Sequence, residues 1–302
     1  MTQIPTISPT EKRTAFRQRL SSGELLKFPG AFSPLVARII EDIGFDGVYI
    51  SGAALSADLG MPDIGLTTLT EVASRGDSIA QSTQLPTLID ADTGFGEPSN
   101  VVRCVQKLEN AGLCGCHLED QVFPKRCGHL ENKQLIPVGD MLRKIGAAVS
   151  AKQDENFLII ARTDARGVDG LQAAIERAQA YVDAGAEMIF PEALADEEEF
   201  EAFRKAIDVP LLANMTEFGK SPLLSANGLK ELGYNLVIYP VTSLRLAMHA
   251  VESGLRTIAE EGGQRSEVPN MQTRDRLYEL LNYDGYTEID KNLANFRAKK
   301  EQ

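Results

Sequence analysis

Short apolar runs that follow a glycine recur along the chain. Each run comes a few residues after a stretch with helical spacing, and that stretch ends at the glycine. Glycine commonly ends a helix in the left-handed conformation, and apolar runs without alternation are typical of parallel strands buried on both faces. The clearest repeats are marked by Gly44, Gly112, Gly185 and Gly233. The pattern therefore predicts helices that alternate with buried strands.

Eight strands are predicted when the remaining apolar runs are added. They lie at 25–31, 47–51, 86–92, 115–120, 157–164, 187–192, 209–216 and 235–240. Between them, Ser33 before Pro34 indicates a helix start, and apolar positions at helical spacing run from Leu171 to Val182. Eight strand–helix units in about 250 residues predict an α/β fold, a closed (β/α)8 TIM-type barrel. A doubly wound open sheet is the alternative, but the sequence lacks the glycine-rich phosphate fingerprint of that fold.

The whole chain, 1–302, is expected to form a single barrel domain with a C-terminal helical extension from about residue 244. No linker or low-complexity segment interrupts the sequence. Helices are predicted at 244–258 and, as one or two elements, at 271–296. These extra helices either close the barrel or reach across to a neighbouring subunit, and the sequence leaves both arrangements open.

The overall composition is that of an ordinary globular protein. Of 302 residues, 43% are hydrophobic and 25% are charged, and the net charge is −12 with a pI near 4.9. Nucleic acids and anionic membranes call for basic surfaces, so neither is an expected partner. A small anionic ligand in a local basic pocket remains compatible with this charge. Because the sequence shows neither a signal peptide nor a membrane-spanning run, we expect a soluble, cytoplasmic protein.

The cysteines do not form a recognisable disulfide framework. They are Cys104, Cys114, Cys116 and Cys127. Their spacing is consistent with a reducing compartment. Cys114 and Cys116, with His117 beside them, fall inside a predicted buried strand, and no matching Cys or His pair stands elsewhere in the sequence. We therefore expect these three residues to pack in the core rather than to bind a metal.

Polar side chains stand at the carboxyl ends of six predicted strands. They are Ser51, Asp90, Asp92, Glu119, Arg162, Asp164, Glu192, Asn214 and Thr216. In a TIM-type barrel the active site lies at this end of the strands. A single polar residue there would indicate only the start of a solvated loop. Six strands that end in this way predict one shared site.

Two aspartates and a glutamate among these residues predict a metal site. Asp90 and Asp92 occupy alternate positions and so share one side of a strand end. With Glu119 from the next strand they form a cluster of carboxylates, which is costly unless a cation or protons neutralise it. Oxygen ligands from few protein groups suit Mg²⁺, and Mn²⁺ would fit the same place. The alternative is that these carboxylates cap the turns after the strands.

The segment 125–129, Lys-Arg-Cys-Gly-His, combines a thiol with cationic neighbours. Such neighbours lower the pKa of a cysteine thiol, so we expect the pKa of Cys127 to be tuned towards neutrality, as general acid–base catalysis requires. Arg162 can clamp a carboxylate in bidentate fashion. Metal, clamp and thiol together suit cleavage or formation of a C–C bond beside a carboxylate. A covalent cysteine nucleophile and a simple solvated loop are the alternatives.

Seven motifs make the chain similar to the isocitrate lyase and phosphoenolpyruvate mutase superfamily, from about residue 12 to about residue 297. They are Tyr49-Ile50-Ser51-Gly52, Asp90-Ala91-Asp92-Thr93-Gly94-Phe95-Gly96, Glu119-Asp120-Gln121, Lys125-Arg126-Cys127-Gly128-His129, Ala161-Arg162-Thr163-Asp164, Phe190-Pro191-Glu192 and Asn214-Met215-Thr216-Glu217. The resemblance implies a barrel, a bound Mg²⁺ ion, and a homotetramer in which a C-terminal helix is swapped between subunits. It also implies that a tricarboxylate, 2-methylisocitrate, is cleaved to pyruvate and succinate in propionate breakdown.

The same resemblance implies roles for individual residues. Asp90 and Asp92 would hold the metal directly, and Glu119 would do so through water. Cys127 would be the general acid that protonates the succinate-forming carbanion, and Tyr49 would help to remove the hydroxyl proton. Substrate contacts are implied for Ser51, Gly52, Ala53, Lys125, Arg126, Gly128, His129, Arg162, Glu192, Asn214 and Thr216. The loop that carries Cys127 would be mobile and would close over the substrate.

A few positions separate this chain from other branches of the superfamily. Asp63 matches a further acidic family residue near the site, whereas Ala53 stands where many members have glycine. Isocitrate lyases are longer, carry Lys-Lys-Cys-Gly-His, and place a tryptophan near the sixth strand. This chain has Arg126 and Phe190 at those positions and contains no tryptophan. The smaller Phe190 would leave room for the methyl group of methylisocitrate.

Other activities remain as alternatives. Isocitrate lyase and 2,3-dimethylmalate lyase share the expected C–C chemistry. A phosphoenolpyruvate-type mutase or hydrolase is less favoured, because those relatives lack the cysteine loop around Cys127. A binding protein without catalysis would need neither that loop nor the acidic cluster.

Overall fold

The computed structural model describes residues 7–294. The chain divides into two compact units. Within residues 7–294, Ser8–Arg245 forms the first, and the second comprises Ile7 and residues 246–294. Among residues 7–294, no helix is both long enough and apolar enough to cross a membrane.

Every predicted strand is present, although each is shorter than its predicted range. The strands of the described chain are β1 (Leu26–Pro29), β2 (Val48–Ile50), β3 (Thr87–Asp90), β4 (Gly115–Glu119), β5 (Leu158–Thr163), β6 (Met188–Pro191), β7 (Leu212–Asn214) and β8 (Leu236–Tyr239). They shorten because polar residues at their carboxyl ends leave the ladder to begin the next element. Ser51 is already the N-cap of a helix, and Asp92 adopts a left-handed φ of 46°.

The strands pair in parallel within two sheets. Their order is β1-β8-β7 in one sheet and β2-β3-β4-β5-β6 in the other. Single parallel bridges, from Gly30 to Tyr49 and from Ile189 to Leu211, link the neighbouring edges of the two sheets. Parallel strands that alternate with helices confirm the predicted α/β class.

Helices follow the strands as the periodicity predicted. They are α1 (Pro9–Leu20), α2 (Pro34–Ile43), α3 (Gly52–Asp58), α4 (Leu69–Ala80), α5 (Pro98–Asn110), α6 (Val138–Ala151), α7 (Arg166–Asp169), α8 (Leu171–Asp183), α9 (Glu197–Ala206), α10 (Ala226–Glu231), α11 (Thr242–Glu261), α12 (Arg274–Leu280) and α13 (Tyr283–Ala294), with a 3₁₀ helix at Arg265–Asn270. Local signals set their ends. Ser33 accepts a hydrogen bond from the N–H of Val36 at the start of α2, and Gly44, with φ 89°, ends that helix. The predicted helices after Ser33 and around 171–182 are confirmed as α2 and α8.

Two groups of buried side chains stabilise the first unit. One joins the helices to one face of the sheets and includes Val101 of α5 and Leu118 of β4. The other covers the opposite face, where Phe16 of α1 packs with apolar side chains from seven strands, such as Leu158 of β5. Successive strand residues point to opposite faces. Glu119, one position beyond Leu118, therefore lies on the second face, where it is a polar residue at the end of the strand.

The second unit is helical. It contains most of α11, the 3₁₀ helix, α12 and α13, which confirms the helices predicted at 244–258 and 271–296; residues 295 and 296 lie outside the described part of the chain. No residue of α11 is buried. Exposed apolar side chains run along one stripe of α11 at helical spacing. They are Met248, Val251, Leu255 and Ile258.

Candidate active site

The strand register places the predicted polar residues side by side. Asp90 is paired with His117 across β3 and β4. Arg162 of β5 is paired with Glu119 on one side and with Phe190 of β6 on the other. These residues are far apart in the sequence, but parallel strands bring their carboxyl ends to one edge. The predicted shared site is therefore a feature of the folded chain.

Asp90 is oriented by backbone amides. The N–H of Gly52 donates to Asp90 Oδ2 at 3.2 Å, and the N–H of Asp92 donates to Asp90 Oδ1 at 3.0 Å. A Cβ atom at Gly52 would lie 2.9 Å from Asp90 Oδ2, so this close approach depends on glycine. Asp92 Oδ1 in turn lies 2.8 Å from Lys125 Nζ. The two aspartates thus face the site in a fixed arrangement.

Burial and like charge govern the protonation of the acidic cluster. Burial, with the neighbouring charge of Asp90, raises the pKa of Asp92 to about 6. Burial also raises the pKa of Glu119 well above its ordinary value, although Arg162 acts in the opposite direction. For Asp90 the effect of burial is outweighed by nearby positive groups, among them Lys125, and its pKa is lowered. Added positive charge would stabilise the ionised form of all three carboxylates.

The donor set fits a hard divalent cation that keeps much of its water. Both carboxylate oxygens of Glu119 are buried and accept no hydrogen bond from residues 7–294, and Arg162 Nε lies 3.4 Å from Oε2. Within the same residues, no three His, Cys, Asp or Glu side chains converge closely enough to hold a metal ion unaided. Mg²⁺ is usually bound through one or two carboxylates and several waters. Asp90 and Asp92, with Glu119 nearby, meet that requirement.

The cysteine loop, residues 122–135, is closed over the strand ends. A Cβ atom at Gly128 would lie 2.5 Å from Glu192 Cγ, so only glycine allows the loop to come this close. His129 Nε2 lies 3.0 Å from Glu192 Oε1, and His129 Nδ1 accepts a hydrogen bond from the N–H of Lys220 at 3.0 Å. The loop predicted to cover the substrate is therefore in contact with the site.

Among the loop residues predicted to contact the substrate, Arg126 is the one that the structure does not bring to the site. Its N–H donates to Gln121 Oε1 at 2.9 Å, and its carbonyl accepts from Gln121 Nε2 at 2.8 Å. The side chain of Arg126 is exposed and does not line the cavity. Its neighbour Lys125 is buried and pairs with both Asp63 and Asp92. A substrate contact through the Arg126 side chain has no support from this placement.

The expectation of a lowered pKa at Cys127 is wrong. Burial raises the pKa of this thiol above its ordinary value, and the N–H of His129 and the charge of Arg162 compensate only in part. Lys125, which precedes the thiol in sequence, is engaged by carboxylates instead. Sequence proximity to a cation does not lower a pKa when burial opposes it more strongly. Cys127 is therefore protonated near neutral pH, which is the state a general acid requires.

Arg162 is held in place by carboxylates and an aromatic ring. Its guanidinium donates to Asp164 through Nε and Nη2 at 3.0 and 3.2 Å, and Nη2 lies 3.2 Å from Glu192 Oε2. The guanidinium also lies 5.1 Å from the ring centre of Phe190. Burial acts to raise the pKa of Glu192, but Arg162 and His129 outweigh it and the pKa is lowered. The result is a fixed cation, suited to a carboxylate ligand.

Tyr49 and His117 form a buried neutral pair. The Tyr49 hydroxyl lies 2.7 Å from His117 Nε2, whereas His117 Nδ1 has no hydrogen-bond partner among residues 7–294. Burial lowers the pKa of His117 to about 4 and raises the pKa of Tyr49 well above its ordinary value. His117 is buried as expected, but it contacts the site rather than only the core. Its place in an apolar strand hid this role from sequence reasoning.

A cavity of about 90 Å³ lies between the strand ends and the cysteine loop. Its lining includes the predicted residues Tyr49, Ser51, Ala53, Asp63, Asp90, Lys125, Cys127, Gly128, His129, Arg162, Phe190, Glu192, Asn214 and Thr216. The lining also includes four residues that sequence reasoning missed: Ile238, Pro240, Val241 and Arg245. Ile238 and Pro240 lie in the last three residues of the eighth predicted strand, and Val241 and Arg245 follow it; that position was the signal that could have identified them. Gly52, Asp92 and Glu119 lie outside the lining but contact residues that form it.

Comparison with known proteins identifies the class of this fold and site. The sequence model of the phosphoenolpyruvate phosphomutase family matches residues 16–259, which is more than half of the chain. The chain therefore belongs to the phosphoenolpyruvate phosphomutase family.

Curated relatives are similar over nearly the whole chain. Probable 2-methylisocitrate lyase 2 of Corynebacterium glutamicum is 58% identical, over 97% of this chain and 95% of the relative. The 2-methylisocitrate lyase of Aeropyrum pernix is 47% identical, over 92% of this chain and 90% of the relative.

Solved structures show the same fold at lower identity. Oxaloacetate acetylhydrolase in complex with 3,3-difluorooxalacetate has a TM-score of 0.90 at 32% identity, over 97% of this chain and 100% of that chain. A 2,3-dimethylmalate lyase has a TM-score of 0.89 at 30% identity, over 99% and 100%. Phosphonopyruvate hydrolase in complex with oxalate and Mg²⁺ has a TM-score of 0.85 at 32% identity, over 93% and 98%.

Proposed function

We propose that the chain is a Mg²⁺-dependent carbon–carbon lyase that cleaves 2-methylisocitrate to pyruvate and succinate, a reaction of propionate catabolism in the methylcitrate cycle. The observation that carries this proposal is the place of Cys127, on a loop that closes over a cavity lined by Arg162 and, from the acidic cluster, by Asp90. Relatives named 2-methylisocitrate lyase support it, with 58% and 47% identity along almost the full chain.

Asp90 and Asp92 are the residues proposed to hold Mg²⁺, with Glu119 reached through water and Mn²⁺ as an alternative ion. When bound, the ion would stabilise negative charge that develops on a substrate oxygen. The buried oxygens of Glu119, which accept no hydrogen bond from residues 7–294, support this assignment. So does the Mg²⁺ complex of the related phosphonopyruvate hydrolase.

The cavity suits a ligand with several carboxylates. Although the whole chain carries a charge of −12, Lys125, Arg162 and Arg245 all border this one space. Convergent cations bind a polyanion through charge-assisted hydrogen bonds. Asn214 and Thr216 add neutral polar groups at the end of β7, where they would orient the substrate.

Two groups that line the cavity can manage protons in the reaction. The Cys127 thiol would donate its proton to the carbon that becomes part of succinate. Tyr49 is a neutral phenol, held by His117 at 2.7 Å, so it would contact the substrate hydroxyl as a hydrogen-bond partner and help its proton to leave. Both groups line the cavity; Tyr49 is buried and Cys127 is partly buried.

Phe190 is proposed to select the methyl-branched substrate. Its ring packs edge-on to His117, with 5.3 Å between ring centres, and lies against Arg162. With Ile238 and Val241 it gives the cavity an apolar wall. A 2,3-dimethylmalate lyase activity is the second candidate, because a solved relative of that name shares the fold at 30% identity.

We also propose that β1 to β8 form one closed barrel within Ser8–Arg245, with the segment from about residue 244 as a helical extension. The bridges from Gly30 to Tyr49 and from Ile189 to Leu211 support closure. A single buried cluster that draws side chains from seven strands supports it as well.

A homotetramer with swapped C-terminal helices is the proposed assembly. The observation in its favour is the stripe on α11, in which Met248, Val251, Leu255 and Ile258 are 41–60% exposed. A regular apolar stripe on a helix of 20 residues needs a cover. A second copy of this chain is the cover that we propose.

Product analysis tests the proposed reaction. Purified protein would be assayed for pyruvate release from 2-methylisocitrate, with and without Mg²⁺, beside glyoxylate release from isocitrate. We expect metal-dependent pyruvate and little glyoxylate. Cys127→Ser should abolish turnover while Mg²⁺ and substrate still bind. Dominant glyoxylate would move the chain to the isocitrate branch, and undiminished turnover by Cys127→Ser would remove the general-acid assignment.

A further inference from the structure

Lys133 lies at the end of the cysteine loop, and none of the motifs considered above includes it. Its side chain is 3% exposed, although it follows the exposed residues Glu131 and Asn132. The ammonium group forms an ion pair with Asp164 Oδ1 at 2.9 Å and donates a hydrogen bond to the carbonyl oxygen of Gly128. Removing a lysine ammonium group from water costs free energy unless well-placed partners in the protein replace the lost water contacts.

Both partners of Lys133 belong to the site. Gly128 adjoins Cys127, so the bond to its carbonyl holds the backbone that carries the thiol. Asp164 is the carboxylate that binds Arg162 through two hydrogen bonds. Lys133 therefore joins the tip of the cysteine loop to the support of the arginine clamp.

The surroundings keep the Lys133 ammonium in this position. The backbone of Asp164 is held in place, because its N–H donates a hydrogen bond to Asp120 Oδ1 at 2.9 Å. Gly167 of α7 passes over the ammonium, and a Cβ atom there would lie 3.4 Å from Lys133 Nζ. The positive charge of Lys133 also contributes to the lowered pKa of Glu192, another carboxylate of the site. The lysine thus has one well-defined place, beneath the closed loop.

Other contacts of the loop act at different points. The backbone of Val122 and Gln134 closes the loop base at 2.7 Å, and the side chain of Gln121 binds the backbone of Arg126. Lys133 acts on the opposite side of Cys127, at Gly128. Side chains therefore hold the backbone on both sides of the thiol, Gln121 at Arg126 and Lys133 at Gly128. Lys133 reaches the Arg162 clamp through Asp164, as His129 does through Glu192.

We infer that Lys133 is a positioning residue: it keeps the loop closed and places the Cys127 thiol over the reacting carbon, in register with Arg162. This inference rests on the proposed lyase function for its kinetic consequence, but its structural content concerns only the loop. A general acid contributes only when it lies within hydrogen-bond reach of its target, and a displacement of about 1 Å can reduce the rate about 10²-fold.

Alkylation of Cys127 tests the inference without reference to any substrate. Lys133→Met removes the ammonium group and keeps an unbranched side chain of similar length. We expect iodoacetamide to modify Cys127 several-fold faster in this variant than in the unaltered protein, because the loop opens more often. Peptide mass spectrometry would report modification of Cys127 separately from that of the buried cysteines.

Lys12→Met is the matched control. Lys12 of α1 is also a buried lysine that donates to backbone carbonyls. Its acceptors, Ala80 and Thr83, precede the amino end of β3, away from the strand ends that carry the site. We expect Lys12→Met to lower the melting temperature and to leave Cys127 alkylation and kcat unchanged. If both variants speed alkylation equally for the same loss of melting temperature, Lys133 is only a structural residue and the inference fails.

Turnover supplies the second readout. With 2-methylisocitrate and saturating Mg²⁺, kcat of Lys133→Met should fall about 10²-fold and KM should change much less, because the thiol acts after binding. Alkylation at the unaltered rate together with unaltered kcat would overturn the inference. If Lys133→Met does not fold, Lys133→Gln, which keeps a donor for Gly128, decides by the same two measurements. Should the unaltered protein release no pyruvate, the proposed function fails and alkylation alone decides the role of Lys133.

Discussion

At the scale of single residues, the candidate site is governed by burial as much as by charge. Cys127 has basic neighbours in sequence, yet its pKa is raised because the closed loop excludes water and Lys125 is paired elsewhere. His117 and Tyr49 are likewise kept neutral by burial. These protonation states favour donation of a proton by the thiol, and they disfavour a thiolate nucleophile at neutral pH.

The raised pKa of Cys127 predicts the pH dependence of its reactivity. Only the thiolate reacts with iodoacetamide, and burial raises the pKa of the Cys127 thiol above its ordinary value, so the thiolate is a small minority at pH 7. The rate of alkylation should therefore be low at pH 7 and should still be rising as the pH passes 9. Peptide mass spectrometry over a pH series would measure this rate. A plateau reached below about pH 8 would show that the pKa is lowered after all.

Asp92 predicts a pH dependence of metal binding. A metal ligand must be ionised, and the pKa of Asp92 in the metal-free protein is about 6. As the pH falls below 6, protons compete with the metal, so the Kd for Mg²⁺ should increase. Calorimetric titrations with Mg²⁺ near pH 5 and pH 7.5 would measure this change. Asp92→Ala should weaken binding at both pH values and remove most of the difference between them, and an unchanged Mg²⁺ titration in this variant would remove the ligand assignment.

At the scale of secondary-structure elements, the parallel strands leave little room at their contacts. Gly115 of β4 shows this directly, because a Cβ atom there would lie 2.6 Å from the carbonyl oxygen of Leu158 and 2.9 Å from Leu88 Cδ2. The sheet face on which Gly115 lies therefore has no room for even one additional methyl group at this position. Such packing holds β3, β4 and β5 at the spacing that aligns Asp90, Glu119 and Arg162.

A matched pair of glycine substitutions tests this packing. Gly115→Ala should reduce the free energy of unfolding by about 1–3 kcal/mol, because the new methyl group overlaps backbone and side-chain atoms. Gly146→Ala, in α6, meets no atom within 4 Å and should increase it by about 0.5–1 kcal/mol through helix propensity. Urea unfolding of both variants would measure the changes. Equal effects of the two substitutions would show that the contact between β4 and β5 is not tight.

At the scale of the whole molecule, charge is distributed unevenly. The chain is acidic overall, with 43 Asp and Glu against 31 Lys and Arg, yet cations converge on the cavity. Lys125 and Arg162 are each buried beside several carboxylates. The carboxylates hold these cations in fixed orientations and keep the local net charge low. The cations are thereby preoriented for a polyanionic ligand. Net charge alone could not have located the site.

The apolar stripe on α11 predicts assembly. Leu255, which is 60% exposed, lies in the middle of the stripe, and Leu255→Lys would place a charge in the proposed contact. We expect the unaltered protein to be a tetramer and Leu255→Lys to form smaller species, as measured by size-exclusion chromatography with light scattering. Ser253→Lys, on the opposite side of α11, is the control and should not change the assembly. A monomeric unaltered protein would contradict the proposed homotetramer.

Much of the fold and of the candidate site follows from the sequence by itself. Apolar runs predicted all eight strands, and their polar ends named six of the residues that line the cavity: Ser51, Asp90, Arg162, Glu192, Asn214 and Thr216. These signals are local: a helix end, a buried run and a strand-end carboxylate each depend on a few consecutive residues. These local signals therefore predict secondary structure and candidate site residues without knowledge of the rest of the chain.

Only the tertiary structure decided which of these groups meet and how they ionise. Lys133 contacts Asp164 across 31 positions, and Tyr49 contacts His117 across 68, and neither pairing leaves a local pattern. The protonation of Cys127 depends on the water that the closed loop excludes and on the carboxylates that engage Lys125. Sequence determined the elements because their signals act over one or two turns of chain. The structure decided the chemistry because burial and through-space charge act between residues that only folding brings together.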